Sequence, residues 1–120
     1  MSTQPTSASV STHVLDTAAG RPAAGITVEL AVRDRGDGAW TAAGASSTDA
    51  DGRCTDLPPL PAGAVHARLR FEAETYLSHE PADGAAFFPE VTVAFAVAPG
   101  EHYHVPLLLS PFGYSVYRGS

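Results

Sequence analysis

Three segments of the chain alternate apolar residues with polar or small ones at a period of two. They cover residues 26–32, 65–71 and 91–97, and their apolar members are mostly Val, Ile, Leu and Phe. Successive side chains of a β-strand point to opposite faces of a sheet, so each segment predicts a half-buried strand. Turn signals rich in Gly, Pro and Asp separate the segments. Short strands at this spacing predict an antiparallel sandwich or barrel.

Two segments depart from this pattern. Residues 72–80, EAETYLSHE, have a helix-forming composition and end before Pro81, which predicts one short helix. Residues 1–9 are mostly small and polar with one Pro, which predicts a disordered N-terminal tail. Because 120 residues are enough for one domain but hardly for two, we expect a single domain over residues 10–120.

Composition and charge narrow the classes of partner and compartment. The seven cationic side chains are all arginines and the net charge is −6, so a nucleic-acid partner is not expected. No apolar stretch approaches the roughly 18 residues of a membrane span, and the N-terminus lacks the apolar run of a signal peptide. Cys54 is the only cysteine, which fits a reducing compartment. We therefore expect a soluble cytoplasmic protein that binds no membrane.

Two histidines stand two residues apart in the predicted strand that contains His102-Tyr103-His104. They project from one face of the strand, and the opposite face, from Tyr103 to Leu109, is apolar and expected to be core. Histidine changes charge near neutral pH, so one or both could be acid–base groups or metal ligands. Alternatively, both are solvated on the outer face of the sheet. A catalytic zinc needs about three protein ligands; His13 could complete the set, although nothing in the sequence requires it.

Three further features could carry chemistry. Arg53 follows a turn at residues 48–52, and the alternative is a surface arginine paired to an aspartate of that turn. Cys54 fits a buried, inert thiol better than a nucleophile. The C-terminal residues 117–120, Tyr-Arg-Gly-Ser, place a hydroxyl, a guanidinium and a carboxylate together. The alternative for them is a frayed tail with a solubilising arginine.

Four separated motifs resemble those of the 5-hydroxyisourate hydrolases, enzymes related to the hormone carrier transthyretin. They are STHVLDT with the following GRPA at residues 11–23, TDADGRC at 48–54, HYHVPLLLSP at 102–111 and YRGS at 117–120. The final tetrapeptide marks the enzymes and is lacking in the hormone carriers. The resemblance spans residues 11–120 in the right order, and no motif position departs from the family pattern.

The resemblance implies an all-β, transthyretin-like sandwich of two four-stranded antiparallel sheets with one short helix. It also implies a homotetramer, built as a dimer of dimers, with active sites in the channel between dimers and with no metal or organic cofactor. The implied reaction is the hydrolysis of 5-hydroxyisourate to 2-oxo-4-hydroxy-4-carboxy-5-ureidoimidazoline in urate degradation. The family's site residues fall on His13, Arg53, His104 and the tail from Tyr117 to Ser120.

Hydrolysis of an amide-like bond needs a base for water, stabilisation of the carbonyl oxygen and protonation of the leaving nitrogen. We expect His104 to be the leading general base and His13 its partner or proton donor. Arg53 is expected to orient the planar substrate and stabilise negative charge. The expected catalytic residues are His13, Arg53, His104 and Ser120, and the expected substrate-binding residues are His13, Arg53, Tyr117 and Arg118.

Two other functions stay open at this point. The first is a carrier of the transthyretin type, which would hold a small aromatic ligand in the same channel; the terminal tetrapeptide and the two histidines with Arg53 argue against it. The second is an adhesive or carbohydrate-binding sandwich, which would need exposed aromatic residues on one face. The lone Trp40, in a Gly-rich turn, gives that reading little support. The sequence does not determine which histidine is the base.

Overall fold

The structure, a computed structural model, describes residues 7–78 and 86–119. Two β-sheets pack face to face as a sandwich, which confirms the predicted all-β fold. The elements in chain order are β1 (Ser9–Asp16), β2 (Arg21–Pro22), β3 (Thr27–Arg33), β4 (Thr41–Ser47), β5 (Arg53–Cys54), β6 (His66–Glu72), α1 (Glu74–Leu77), β7 (Glu90–Ala96), β8 (His102–His104), β9 (Leu107–Ser110) and β10 (Gly113–Val116).

One sheet, termed the β3 sheet, consists of four antiparallel strands in the order β4-β3-β6-β7. β3, β6 and β7 coincide with the three alternating segments of the sequence. Their predicted inward residues form much of the core, and Val28, Leu69 and Phe71 are each 0% exposed. Val65, the first apolar residue of its segment, lies before β6 and is 39% exposed. The strand predictions for this sheet are therefore confirmed.

The other sheet, termed the β1 sheet, has six short strands arranged around β1. β1 pairs antiparallel with β2 and β5 and parallel with β8 and β9, and β10 pairs with β9. The expectation of four antiparallel strands per sheet thus holds for the β3 sheet, whereas the β1 sheet is more divided and partly parallel. Pro106 is one cause: it has no N–H to donate to a ladder, and it lies where β8 has ended and β9 has not begun.

The core lies between the inner faces of the two sheets. Val14 of β1 and Leu107 of β9 are both 0% exposed, and burying such a side chain stabilises the fold by about 1.5–3 kcal/mol. Thr12 is equally buried, and its hydroxyl donates to the carbonyl oxygen of Val105 at 2.6 Å, so no polar atom of its side chain is left unpaired. Cys54 is 1% exposed, and burial raises the pKa of its thiol, as expected of an inert cysteine.

The predicted helix is present but shorter than residues 72–80. α1 covers Glu74–Leu77, Glu72 still belongs to β6, and residues 79 and 80 lie outside the described part of the chain. The hydroxyl of Tyr76 donates to the carboxylate of Asp16 at 2.5 Å, which fastens the helix to the end of β1. No helix within the described ranges is long and apolar enough to cross a membrane.

The N-terminal tail predicted over residues 1–9 falls mostly outside the described residues, so its disorder stays a prediction. Ala8 is 6% exposed, and its carbonyl oxygen accepts the N–H of Leu60 at 2.9 Å. Ser9 is the first residue of β1. The packed structure therefore reaches back to residue 8.

The turn before β5 requires glycine at position 52. Gly52 has a φ of 76°, and a Cβ at this position would lie 2.4 Å from the carbonyl oxygen of Val14. The carbonyl oxygen of Gly52 accepts the N–H of Val14 at 2.7 Å, so the turn lies directly against β1. This close approach sets the two-residue strand β5 beside β1.

We expect Gly52→Ala to lower the free energy of unfolding by about 3 kcal/mol or more, because the left-handed φ and the backbone clash both oppose the new side chain. Gly63→Ala is the matched control. Gly63 has a φ of 88° but nothing within 4 Å of its Cβ position, so only about 1–2 kcal/mol should be lost. Urea unfolding measures both variants, and equal losses would show that the approach to β1 is unimportant.

Candidate active site

The outer face of the β1 sheet collects polar and titratable side chains. Every second residue of β1 points away from the core. Across the ladders, His13 lies opposite Arg53 of β5, and Ser11 lies opposite His104 of β8. We term this outer surface the site face, and its members are Ser9, Ser11, His13, Arg53, His102 and His104.

The structure brings His13, Arg53 and His104 together on the site face, although they lie far apart in the sequence. Burial, followed by the positive charges of Arg53, His13 and His102, lowers the pKa of His104 below its ordinary value. His104 is therefore neutral over more of the pH range than a free histidine. A neutral imidazole can accept a proton, which is what a general base must do.

His13 is held by the same turn that delivers Arg53. Its Nε2 lies 2.8 Å from the carbonyl oxygen of Asp51. Because a carbonyl oxygen only accepts, Nε2 carries the proton and donates it, and Nδ1 is left for a second partner. His13 is half-buried, so this ring is oriented by the backbone and still remains partly open to solvent.

The carboxylate of Asp49 organises the turn ahead of Arg53. It accepts the backbone N–H groups of Asp51 and Arg53 at 2.9 and 3.0 Å, and the bond from Arg53 is the main cause that lowers the pKa of Asp49. The alternative of an Arg53 ion pair with an aspartate of the turn is not seen. Arg53 forms no salt bridge with a carboxylate of residues 7–78 or 86–119. Its exposed guanidinium is thus available to a ligand.

The C-terminal tail runs back along β8. The N–H of Gly119 donates to the carbonyl oxygen of His104 at 2.7 Å, and a Cβ at position 119 would lie 2.8 Å from the His104 ring. Only glycine allows this approach. Tyr117 is 53% exposed, and its N–H donates to the carbonyl oxygen of Pro106. Ser120 lies outside the described residues, so its catalytic role stays a prediction.

Arg118 contacts a different part of the molecule. Its guanidinium lies 4.7 Å from the centre of the Tyr103 ring and 4.0 Å from the carboxylate of Glu101. With Tyr117, it lines a cavity of about 330 Å³ at the side of the sandwich where β7 faces β8 and β10. This cavity does not include the site-face histidines or Arg53. A part for Arg118 in substrate binding stays a prediction.

Ser11 is a member of the site face that the sequence interpretation did not select. Its hydroxyl lies 2.8 Å from Nδ1 of His104 and 3.0 Å from Nε2 of His102. The hydroxyl of Ser9 lies 2.6 Å from Nδ1 of His102. The signal available in the sequence is the alternation along β1, which puts Ser9, Ser11 and His13 on one side. Their meeting with His102 and His104 depends on the parallel pairing of β1 with β8.

The site-face histidines offer ring nitrogens that can exchange protons. Within residues 7–78 and 86–119, no group of three or more His, Cys, Asp or Glu side chains is placed to hold a metal ion. The ring nitrogens of His102 and His104 contact serine hydroxyls, and His13 contacts a backbone carbonyl. The arrangement can supply acid–base groups from its histidines and a fixed positive charge from Arg53.

Known proteins share this fold and most of its length. The model of the HIUase/Transthyretin family matches residues 10–119. The 5-hydroxyisourate hydrolase of Mesorhizobium japonicum is 45% identical over 116 residues, which cover 92% of this chain and 91% of that protein. The structure of Klebsiella pneumoniae 5-hydroxyisourate hydrolase matches with a TM-score of 0.72 and 34% identity, over 92% of this chain and 97% of that one. Transthyretin from Sparus aurata matches with a TM-score of 0.78 and 29% identity, over 92% and 95%.

Removing the charge of Arg53 should raise the pKa of His104. In the wild type, the lowered pKa keeps the His104 imidazole neutral down to a lower pH. Without the nearby guanidinium, protonation of the ring costs less free energy, so the midpoint of the His104 titration moves to higher pH. NMR titration of the His104 ring in Arg53→Gln and wild type measures the change. Arg35→Gln is the control, because Arg35 is an exposed residue paired to Asp37. An unchanged midpoint in Arg53→Gln would mean that the charge of Arg53 does not act on His104, and a lower midpoint would contradict the expected direction.

Proposed function

The chain belongs to the HIUase/transthyretin family, and we propose that it hydrolyses 5-hydroxyisourate at the site face. The reaction opens the six-membered ring with water, yields 2-oxo-4-hydroxy-4-carboxy-5-ureidoimidazoline and is a step of urate degradation. One observation carries the conclusion. A chain that is 45% identical to a hydrolase of this substrate gathers two histidines and an arginine on one sheet face.

In the proposed mechanism, His104 removes the proton from the attacking water. Its lowered pKa keeps the imidazole neutral near neutral pH. Nδ1 of His104 faces the hydroxyl of Ser11, so Nε2 is the nitrogen that receives the proton. A positioned base of this kind contributes typically 10²–10⁴-fold to the rate.

Arg53 is proposed to act on the carbonyl, and His13 is proposed to assist His104. The guanidinium is always charged, and its paired donors match both a planar imide and the negative charge that develops on the carbonyl oxygen. His13, with Nδ1 free of the bond to Asp51, is the partner of His104 in proton transfer. His13 and Arg53 are direct neighbours across the ladder between β1 and β5, so one small substrate can contact both.

The tail is proposed to close one side of the site. Gly119 ties it to the backbone of His104, and the exposed side chain of Tyr117 follows directly after β10. Tyr117 and Arg118 line the cavity at the side of the sandwich in the single chain; we propose that they turn toward the substrate when it binds and that Ser120 positions substrate or water. A tail fixed at one glycine can bring polar groups to the histidines without changing the sandwich itself.

We also propose that the active form is a homotetramer, a dimer of dimers whose subunits share the sites. The site face is the open outer surface of a sheet in the single chain, so a second copy would exclude water from it and strengthen its electrostatic interactions. β7 and β10 end their sheets and can pair further. Phe87, Phe112 and Tyr114 belong to an exposed aromatic cluster, and such patches mark interaction surfaces.

The cytoplasm is the compartment that we propose. Cys54 is free and buried, and it is the only cysteine of the chain. A single cysteine cannot form a disulfide within the chain, so the fold does not need an oxidising environment. This suits a protein of a reducing compartment. The partners in this proposal are the purine-derived substrate and further copies of the chain.

The two alternative functions have weaker support. A carrier of the transthyretin type shares the sandwich, and a fold does not by itself distinguish a carrier from an enzyme; the site-face histidines with Arg53 favour the enzyme. An adhesive or carbohydrate-binding role would need an open aromatic platform. Trp40 instead packs against the guanidiniums of Arg33 and Arg68, 4.3 and 4.9 Å from its ring centre.

The protein should rapidly remove the absorbance of freshly generated 5-hydroxyisourate, and His104→Asn should lower turnover by a factor on the order of 10². His66→Asn is the matched control, because His66 lies on the β3 sheet and accepts a hydrogen bond from Arg33. Circular dichroism checks that both variants fold. Near-normal turnover in folded His104→Asn would rule out the base role, whereas binding without turnover in the wild type would favour the carrier.

A chain that ends at Val116 should still fold and assemble but lose most of its hydrolase activity. The backbone bonds that it loses run from Tyr117 and Gly119 to Pro106 and His104 and contribute about 1–2 kcal/mol together. Thermal unfolding measures the stability, and the absorbance assay measures the activity. A truncated protein with wild-type turnover would show that the terminal tetrapeptide is dispensable.

Light scattering at micromolar concentration should give the mass of four chains. Phe112→Ser should shift the protein toward smaller species with little loss of protomer stability, because Phe112 is 82% exposed. Val65→Ser, which changes an apolar residue outside the aromatic cluster, is the control and should remain tetrameric. A stable and fully active wild-type monomer would contradict the shared-site assembly.

A further inference from the structure

A chain of hydrogen bonds leads from His104 to the surface of the protein. Nδ1 of His104 lies 2.8 Å from the hydroxyl of Ser11, which lies 3.0 Å from Nε2 of His102. Nδ1 of His102 in turn lies 2.6 Å from the hydroxyl of Ser9. The parallel register aligns the pairs, because Ser9 is opposite His102 and Ser11 is opposite His104. Ser11 is 6% exposed, so water cannot easily replace this link.

The protons of this chain have one consistent arrangement. If Nε2 of His104 keeps its lone pair for water, Nδ1 carries the proton and donates to Ser11. The hydroxyl of Ser11 then donates to Nε2 of His102, and Nδ1 of His102 donates to Ser9. Each histidine remains neutral, and Ser11 accepts one hydrogen bond and donates one. The contact of Nδ1 with the Ser11 hydroxyl therefore makes Nε2 the unprotonated nitrogen of His104.

The charges around the two histidines differ. His104 is half-buried, and the groups that act on it are all cationic or become so: Arg53 from β5, His13 from β1 and His102 from β8 itself. His102 is exposed. It is the first residue of β8, two positions before His104 and next to Glu101. Burial and the surrounding positive charge therefore make a positive charge costly on His104.

We propose that Ser11 and His102 are positioning residues of the proposed hydrolase: through the Ser11 hydroxyl, His102 takes up the positive charge that would otherwise form on His104. This inference rests on the proposed function of the site face. Neither residue contacts the substrate in this proposal. Both act through His104, by fixing its tautomer and by moving a proton away from Arg53.

Every proton that moves in this step has a donor and an acceptor. Water gives a proton to Nε2 of His104 as its oxygen bonds to the carbonyl carbon, whose π electrons move to the carbonyl oxygen. The Nδ1 proton of His104 passes to Ser11, and the Ser11 hydroxyl proton passes to Nε2 of His102. When the oxyanion collapses and the C–N bond breaks, Nε2 of His104 protonates the leaving nitrogen. In the same step, the proton on Nε2 of His102 returns through Ser11 to Nδ1 of His104, so that His104 stays neutral throughout.

Four variants separate this relay from a structural role. Ser11→Ala removes the link, and Ser11→Thr restores a hydroxyl. His102→Gln keeps a side chain that can hydrogen-bond to Ser11 but cannot take up a proton. Ser46→Ala is the matched control, because the Ser46 hydroxyl donates to Asp56, outside the site face. Kinetics with freshly generated 5-hydroxyisourate and ¹⁵N NMR of the imidazole nitrogens are measured for each, with unfolding curves as the check on folding.

We expect kcat to fall about ten-fold in Ser11→Ala and His102→Gln, with KM within about two-fold, and to stay near the wild-type value in Ser11→Thr and Ser46→Ala. The NMR spectrum of the wild type should show His104 protonated at Nδ1, and Ser11→Ala alone should lose this preference. Unchanged kcat in folded Ser11→Ala and His102→Gln, or a wild-type His104 protonated at Nε2, would overturn the relay. A wild type with the expected tautomer but no hydrolysis would instead show that the proposed function is wrong.

Discussion

The register of β1 against its neighbours is the constraint on which the site depends. Thr12 and Val14 of this strand face the core, whereas Ser11 and His13 face outward, because successive side chains alternate. β1 pairs with four other strands, two antiparallel and two parallel. A slip by one residue would turn the outward side chains into the core. The packing of the core thus holds the polar residues of the site face in place.

Arg53 reaches the site face by local means. The carboxylate of Asp49 holds the turn through backbone N–H groups, and Gly52 lets the turn approach β1 more closely than any other residue would. The carbonyl oxygen of Asp51 in the same turn orients His13. One short segment therefore places the cation and aligns the histidine beside it, which explains how a two-residue strand can serve a site.

The same sandwich occurs in a hydrolase and in a transthyretin, so the chemistry depends on what one sheet presents outward. In this chain, the outer surface of β1, β5 and β8 carries histidines, serines and an arginine. Half-burial and neighbouring positive charge keep His104 neutral. In the proposed tetramer, further copies of the chain would cover this open face and the exposed aromatic cluster.

The sequence by itself determined three of the four strands of the β3 sheet (β3, β6 and β7) and the buried face of residues 103–109, because alternation and turn residues are local signals. His13, Arg53 and His104 were selected by resemblance, since spacing alone left them as possible surface residues. The helix was predicted too long because Glu72 pairs with Glu90 in β6 and β7. Only the tertiary structure decided the division of the β1 sheet and the contact of Ser11 with His104. That contact joins residues 93 positions apart, and the choice of a distant partner strand depends on how the whole core packs.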